Sequence, residues 1–348
     1  MSQISKPRVI LGLMTMGLDE SAGARITGLD EFKRSLDYFQ AQGYNEVDTA
    51  RTYVGGTQEA FTKEAGWKER GLKIATKWFP MKPGDHKAET VKEQLNKSLT
   101  ELGTDSVDIF YLHAADRAVP FEETLGAVND LFKEGKFKQL GLSNYTAYEV
   151  AEIVMTCKAH GWVRPTIYQA IYNAITRTIE IELIPCLRRY SISLVIYNPI
   201  AGGLFSGKIK SASSVPTDGR FSNTTSVMGG MYRWRYFKDQ TFNALALLEP
   251  IVAKHNLNML EVAFRWLVHH SALRMGTVEK EGDGIIMGIS KFEQLEMNLE
   301  FCERGPLPED VVEALDQAWQ LTSATAPLYW HKELTYGYDV QKELFGEG

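Results

Sequence analysis

The stretch "VILGLMTMG" (residues 9–17) decides the fold. Its first six residues form an apolar run of the kind that becomes a strand buried on both faces. In an open, doubly wound nucleotide fold, a glycine-rich phosphate turn should follow that first strand. The turn reads "GLMTMG" (12–17) instead, without the GxGxxG spacing. A different arrangement of parallel strands is needed.

Seven further runs of the same character follow: "NEVDTA" (45–50), "KIATK" (73–77), "VDIFYLH" (107–113), "QLGLSN" (139–144), "IYQAIYN" (167–173), "SLVIYNP" (193–199) and "GIIMGIS" (284–290). Segments with helical spacing separate them. In 28–42, Leu29, Phe32, Leu36 and Phe39 recur at intervals of three and four. Helices are also predicted over 87–102, 121–134, 146–160, 178–190, 258–270 and 291–302. Near-continuous apolar strands alternating with helices imply a parallel sheet covered on both sides. Eight of them fit an α/β fold of the closed (β/α)₈ TIM-barrel kind, roughly 250 residues plus insertions. The segment 202–240, rich in Gly, Ser and Thr and ending in "MYRWRYFK" (231–238), reads as a long irregular loop for cofactor or substrate. The tail from Ala326 onward is aromatic enough to pack on the barrel. No repeat or linker divides the chain, so residues 1–348 are predicted to form one domain.

Composition excludes several classes. With 348 residues, 44% apolar, 24% charged and a net charge of −6, the chain lacks the basic excess of a nucleic-acid binder. It has no apolar run long enough for a membrane span, and "MSQISKPRVI" (1–10) lacks the long apolar core expected of a secretory signal. Its three cysteines, Cys157, Cys186 and Cys302, form no CxxC, and the histidines show no HExxH spacing, so neither a metal site nor a disulfide framework is expected. Reduced thiols suit a cytoplasmic protein.

Function is sought at the C-terminal ends of the strands, where barrels of this kind carry their sites. The second run breaks at Asp48, the third ends at Lys77, the fourth at His113, and Tyr53 sits in "NEVDTARTYVGGTQEA" (45–60). Singly each has an ordinary reading: a helix cap, a solvated ammonium, a packed histidine, a loop tyrosine. Together at one mouth they make a proton-delivery set. An ammonium near a phenol favours the phenolate and lowers its pKa, an aspartate holds that ammonium in place, and a histidine orients a carbonyl oxygen.

In order and spacing these four residues resemble the catalytic tetrad of the aldo-keto reductases. The similarity runs from about residue 8 to 331 and looks closest to the aflatoxin-aldehyde reductase subgroup. "LHAADR", "GKFKQLGLSNYTAYEVAEI", "YQAIYNAITR", "ELIPCLRRY" and "YNPIAGGLFSGK" carry it. The resemblance implies NADPH (NADP⁺ as product) and a small-molecule carbonyl substrate. Ser143, Asn144 and Gln169 would hold the nicotinamide carboxamide, and Tyr197 would stack on its ring. Asn198 through Lys208, including Pro199, Gly202, Gly203, Leu204 and Gly207, would wrap the pyrophosphate. Arg220 would make a further contact. Ser290, Gln294 and Asn298 would grip the adenosine end, where a helix N-terminus and Lys291 favour a 2′-phosphate.

The resemblance also assigns Tyr232 and Arg235 to the substrate pocket. It places His331 where the subgroup carries a carboxylate-binding arginine. A neutral imidazole lacks the guanidinium fork, and Trp78 after Lys77 replaces a small residue. Both point to a bulky or aromatic carbonyl compound, a metabolite of a biosynthetic pathway, rather than a small carboxylated aldehyde. Two other readings stay open. One is a nucleotide-sensing binding subunit like the potassium-channel β-subunits that share the fold; the other is a phosphate-handling barrel aldolase or isomerase. The subgroup is often dimeric, which leaves a homodimer open.

Overall fold

Alternation along β3 (Lys73–Trp78) sets the plan of the molecule. Ala75 points to the barrel axis, where it joins a cluster of Ile10, Ile109, Tyr111, Ile167, Val195 and Ile286. Ile74 and Trp78, of opposite parity, pack in the outer layer between strands and helices. In this computed structural model, which describes residues 6–214, 216, 219–222 and 227–346, the other strands are β1 (Val9–Gly12), β2 (Glu46–Asp48), β4 (Val107–Leu112), β5 (Phe137–Ser143), β6 (Ile167–Ile171), β7 (Ser193–Tyr197) and β8 (Gly284–Gly288). All neighbours pair in parallel, in sequence order. β1 closes on β8 with Val9 opposite Ile285, giving an eight-stranded closed barrel. The (β/α)₈ reading of the sequence therefore holds.

The interior is filled side chain by side chain. A Cβ built at Gly141 of β5 would lie 2.3 Å from the Tyr111 ring, so only glycine leaves space for that tyrosine. At the N-terminal end, Asp283 closes the barrel. Its carboxylate accepts the backbone N–H groups of Arg274 (2.7 Å) and Leu194 (2.8 Å) and pairs with Arg188.

Outside lie α1 (Leu29–Ala41), α2 (Gln58–Glu64), α3 (Ala88–Leu102), α4 (Phe121–Lys133), α5 (Ala147–His160), α6 (Leu183–Arg189), α7 (Val227–Tyr236), α8 (Asp239–Lys254), α9 (Met259–His269), α10 (Phe292–Glu303), α11 (Glu309–Thr322) and α12 (Val340–Phe345). The structure corrects two expectations. The helix predicted over 178–190 begins only at Leu183, with Pro185 in its first turn, where the missing N–H costs nothing. The segment 202–240 is not irregular throughout: "MYRWRY" lies in α7. α8 has an apolar face of Phe242, Leu245, Leu248 and Val252, yet Pro250 in its interior interrupts the helical pattern in sequence. Among the described residues, no helix is long and apolar enough to cross a membrane.

Candidate active site

The same parity that buries Ala75 brings Lys77 to the axis two residues further on, at the C-terminal mouth. Lys77 is 0% exposed and Asp48, at the end of β2, is 3% exposed. The ammonium donates to Asp48 Oδ1 at 2.5 Å and to the Thr49 carbonyl at 2.6 Å. Its third contact is the Tyr53 hydroxyl at 3.3 Å. Burial pushes the Asp48 carboxyl up and the Lys77 ammonium down, and the charge of each partner opposes the shift of the other. Two charges withdrawn from water are tolerable here because the geometry is close and the remaining oxygen is also satisfied: Asp48 Oδ2 accepts from Gln169 Nε2 at 3.0 Å.

Tyr53 opens a tight turn in which Val54, Gly55 and Gly56 all have positive φ, which swings the ring back over the mouth. His113 follows β4 and stands edge-on to Tyr53, ring centroids 6.2 Å apart. Burial, then the nearby positive charge of Lys77, holds His113 well below its ordinary value, so the imidazole is neutral. Its Nδ1 is buried without a partner among the described residues. The expectation that Lys77 lowers the Tyr53 pKa is not met. Burial, then the charges of Asp48 and Tyr232, push it well above the ordinary phenol, with Arg220 opposing.

Around the axis, the strand ends continue the site. Ser143 Oγ donates to the Gln169 carbonyl at 2.9 Å. Asn144, at a positive φ of 61°, donates through Nδ2 to the His113 carbonyl at 2.8 Å, and its Oδ1 accepts from the Tyr197 hydroxyl at 2.8 Å. Burial pushes Tyr197 up to about 12. Asn198 (φ 60°) accepts the Tyr232 hydroxyl at 3.0 Å. After Pro199 the chain turns through Gly202 and Gly203, both at positive φ. A Cβ at Gly202 would lie 2.6 Å from the Tyr232 ring, so glycine is required there. Leu204 is buried in the core and offers only its backbone. Gly207 takes a left-handed cap, and Lys208 is exposed. Arg220 stacks on Tyr232 at 5.5 Å and acts electrostatically on Tyr53, which brings it to the mouth.

Beyond β8, Ser290 N–H and Oγ both donate to Gln294 Oε1 (2.8 and 3.1 Å), and the Asn298 side chain is buried. Among the described residues six buried side-chain polar atoms have no partner; beside His86 Nε2, Thr176 Oγ1 and Arg188 Nε, three lie along the site, His113 Nδ1, Asn198 Nδ2 and Asn298 Oδ1. These last three belong to residues expected at the chemistry, the pyrophosphate and the adenosine. Such groups are costly to leave unsatisfied, and a dinucleotide laid across the mouth fits them.

The substrate side differs from expectation at one residue. Trp78 is 8% exposed in the outer layer, its indole N–H donating to the Asp85 carbonyl at 2.8 Å. The aromatic that meets the site is Phe79, edge-on to His113 (5.4 Å) and to His331 (6.1 Å). Strand parity from Lys77 would have found it. Tyr232 is buried, and Arg235, 6% exposed, donates to His331 Nε2 at 3.0 Å. No carboxylate pairs with Arg235 among the described residues. Burial, then the Arg235 charge, holds His331 down at about 3. Sequence reasoning also missed Arg117, which ties the tail to the mouth.

The profile of the Aldo/keto reductase family matches residues 8–320. An aldo-keto reductase of Pseudocercospora fijiensis (strain CIRAD86) is 43% identical, covering 84% of this chain and 99% of that protein. Aflatoxin B1 aldehyde reductase member 2 of Mus musculus is 42% identical, covering 93% of this chain and 88% of its own. The aldo-keto reductase pigE of Monascus ruber is 39% identical over 89% of this chain and 92% of its own.

Proposed function

The chain belongs to the aldo/keto reductase family, and from that premise we propose that it reduces a bulky or aromatic aldehyde or ketone to the alcohol, with NADPH as reductant. When bound, the nicotinamide supplies hydride to the carbonyl carbon. The observation that carries the reading is the contact of Lys77 Nζ with both Asp48 (2.5 Å) and the Tyr53 hydroxyl (3.3 Å) in a buried mouth.

A phenol whose pKa is raised by burial keeps its proton until a stronger base forms beside it. The alkoxide created by reduction is that base. As the proton leaves, Lys77 is already in place to stabilise the phenolate, and Asp48 keeps the ammonium charged. Neutral His113 orients the carbonyl oxygen toward Tyr53. Preorganised charges of this kind lower the barrier because nothing must reorganise as the charge develops.

Support for a bulky substrate comes from the aromatic wall of Phe79, His113 and His331, and from the mouse relative named for aflatoxin B1 aldehyde. Support for NADPH comes from exposed Lys291 beside the N-terminus of α10. The channel-subunit reading is not favoured, since the curated relatives are named reductases. A phosphate-handling aldolase or isomerase finds no support in the family match. The free cysteines, Cys157 and Cys302 buried, suit a cytoplasmic protein.

NADPH oxidation against a panel of aldehydes and ketones tests the reading. Tyr53→Phe is expected to keep NADPH binding, followed by quenching of protein fluorescence, while turnover falls by roughly 10³-fold. Retained turnover would remove Tyr53 as the acid. Faster reduction of succinic semialdehyde than of polycyclic aldehydes would overturn the substrate class.

A further inference from the structure

Residues 331–337 cross the barrel mouth as a strap tied to the loops after three successive strands. Lys332 Nζ donates to the Pro80 carbonyl, after β3, at 2.6 Å. The Gly337 N–H donates to the Arg117 carbonyl, after β4, at 2.8 Å. The His331 N–H donates to the Asn144 carbonyl, after β5, at 3.2 Å. Tyr336 adds a bond from its hydroxyl to Glu149 Oε1 at 2.9 Å.

One side chain joins these ties. Arg117 is 4% exposed and Glu149 0%. The guanidinium grips Glu149 with Nε (2.6 Å) and Nη2 (2.9 Å), and its Nη1 donates to the carbonyls of His331 (2.8 Å) and Glu333 (3.3 Å). Glu149 is itself anchored, accepting the N–H of Thr146 at 2.7 Å as part of the capping box of α5. A planar fork held on a fixed carboxylate can present its remaining donors in one geometry only. Those donors end on the backbone of the residue whose imidazole faces Phe79 and accepts from Arg235.

We propose that Arg117 is a positioning residue for substrate selection. It fixes the backbone at 331 and 333, so that His331 closes the pocket against Phe79 and engages the Arg235 guanidinium. Freed of the clamp, the strap lifts, the aromatic wall loses a member, and Arg235 loses its neutral partner. The pocket becomes wider and more cationic, favouring small carboxylated carbonyl compounds over bulky aromatic ones. The inference rests on the carbonyl-reductase reading of the mouth.

The test uses Arg117→Met combined with Glu149→Gln, which avoids leaving a buried carboxylate unpaired, beside Arg117→Lys, His331→Ala and the triple variant. For an aromatic aldehyde, KM is expected to rise about tenfold with kcat within about twofold, the pattern of lost binding rather than lost chemistry. NADPH quenching should be unchanged. KM for succinic semialdehyde should fall. Lysine should not rescue, because it lacks the fork, and adding the clamp variants to His331→Ala should raise KM no further. Trypsin cleavage after Lys332 gives a readout independent of turnover and should accelerate in the clamp variants. If wild type reduces no carbonyl compound while cleavage accelerates, the reductase reading fails and the clamp stands. Unchanged cleavage, rescue by lysine, or a KM shift additive with His331→Ala would overturn the clamp.

Discussion

The floor of the barrel mouth and its wall are built by different means. Asp48, Lys77, His113, Ser143 and Gln169 stand on or directly after strands whose register is fixed by neighbours on both sides. Their side chains are buried or nearly so, and Asp48 bonds directly to both Lys77 and Gln169. Phe79, Arg117, Arg235 and His331 stand on loops, on α7 and on the tail, and meet through single hydrogen bonds or ring edges. The first arrangement suits chemistry, which tolerates little displacement. The second suits selection, because loops can vary without disturbing the ladder.

The sharpest way to break this comparison is to attack the floor. Lys77→Met leaves Asp48 as an uncompensated buried charge, and is expected to cost about 3–5 kcal/mol of stability as well as roughly 10³-fold in turnover. Adding Asp48→Asn should restore most of the stability and none of the turnover. Recovery of both together would mean that the pair serves folding and not proton transfer. Thermal or urea unfolding beside steady-state rates separates the outcomes.

Acid sharpens it next. His86, behind Trp78 and His113, is held down at about 4, chiefly by burial, whereas an unfolded histidine titrates near ~6.5. The unfolded chain therefore binds a proton in this window that the folded chain refuses. Stability is fully present above pH ~6.5 and falls as pH drops toward about 4, by about 1.4 kcal/mol per pH unit for this one group. His86→Gln is expected to flatten the acid slope of urea-unfolding free energy by that amount. His113, held down by the same cause, should keep part of the slope. An unchanged slope in His86→Gln would show that His86 is not buried neutral.

How far the sequence could be read follows the same division. Apolar runs and their polar ends pointed to the eight strands and to the meeting of Asp48, Tyr53, Lys77 and His113 at one mouth, because strand pairing and burial act on local pattern. The direction of Tyr53's pKa shift is not legible in sequence, since it depends first on how dry the mouth is and then on which charges the fold brings near the phenol. Trp78 is expected on the substrate side because it replaces a small residue of the subgroup, but strand parity from Lys77 turns Trp78 to the outer layer and leaves Phe79 facing His113. Arg117 gave no signal, because its partners lie 32 and 214 residues away. α8 was hidden by Pro250, whose cost is outweighed by packing of its apolar face.

The smallest expected effect asks whether helix-borne groups also select at the far end of the mouth. Glu31, near the start of α1, places Oε1 3.1 Å from the N–H of Phe292, the first residue of α10. That helix end is where Ser290 and Lys291 are proposed to receive the 2′-phosphate of NADPH. A carboxylate already satisfying part of the helix N-terminus repels a second anion arriving there. Glu31→Gln keeps an acceptor for the Phe292 N–H and removes the charge. Charge effects at a helix terminus are modest, so NADPH should bind about threefold more tightly in low salt, with NADH unchanged. The gain should shrink as salt screens the exposed end. Fluorescence titration with both cofactors at two salt concentrations decides it. Equal shifts for NADPH and NADH would mean that Glu31 shapes the helix end but does not discriminate the phosphate.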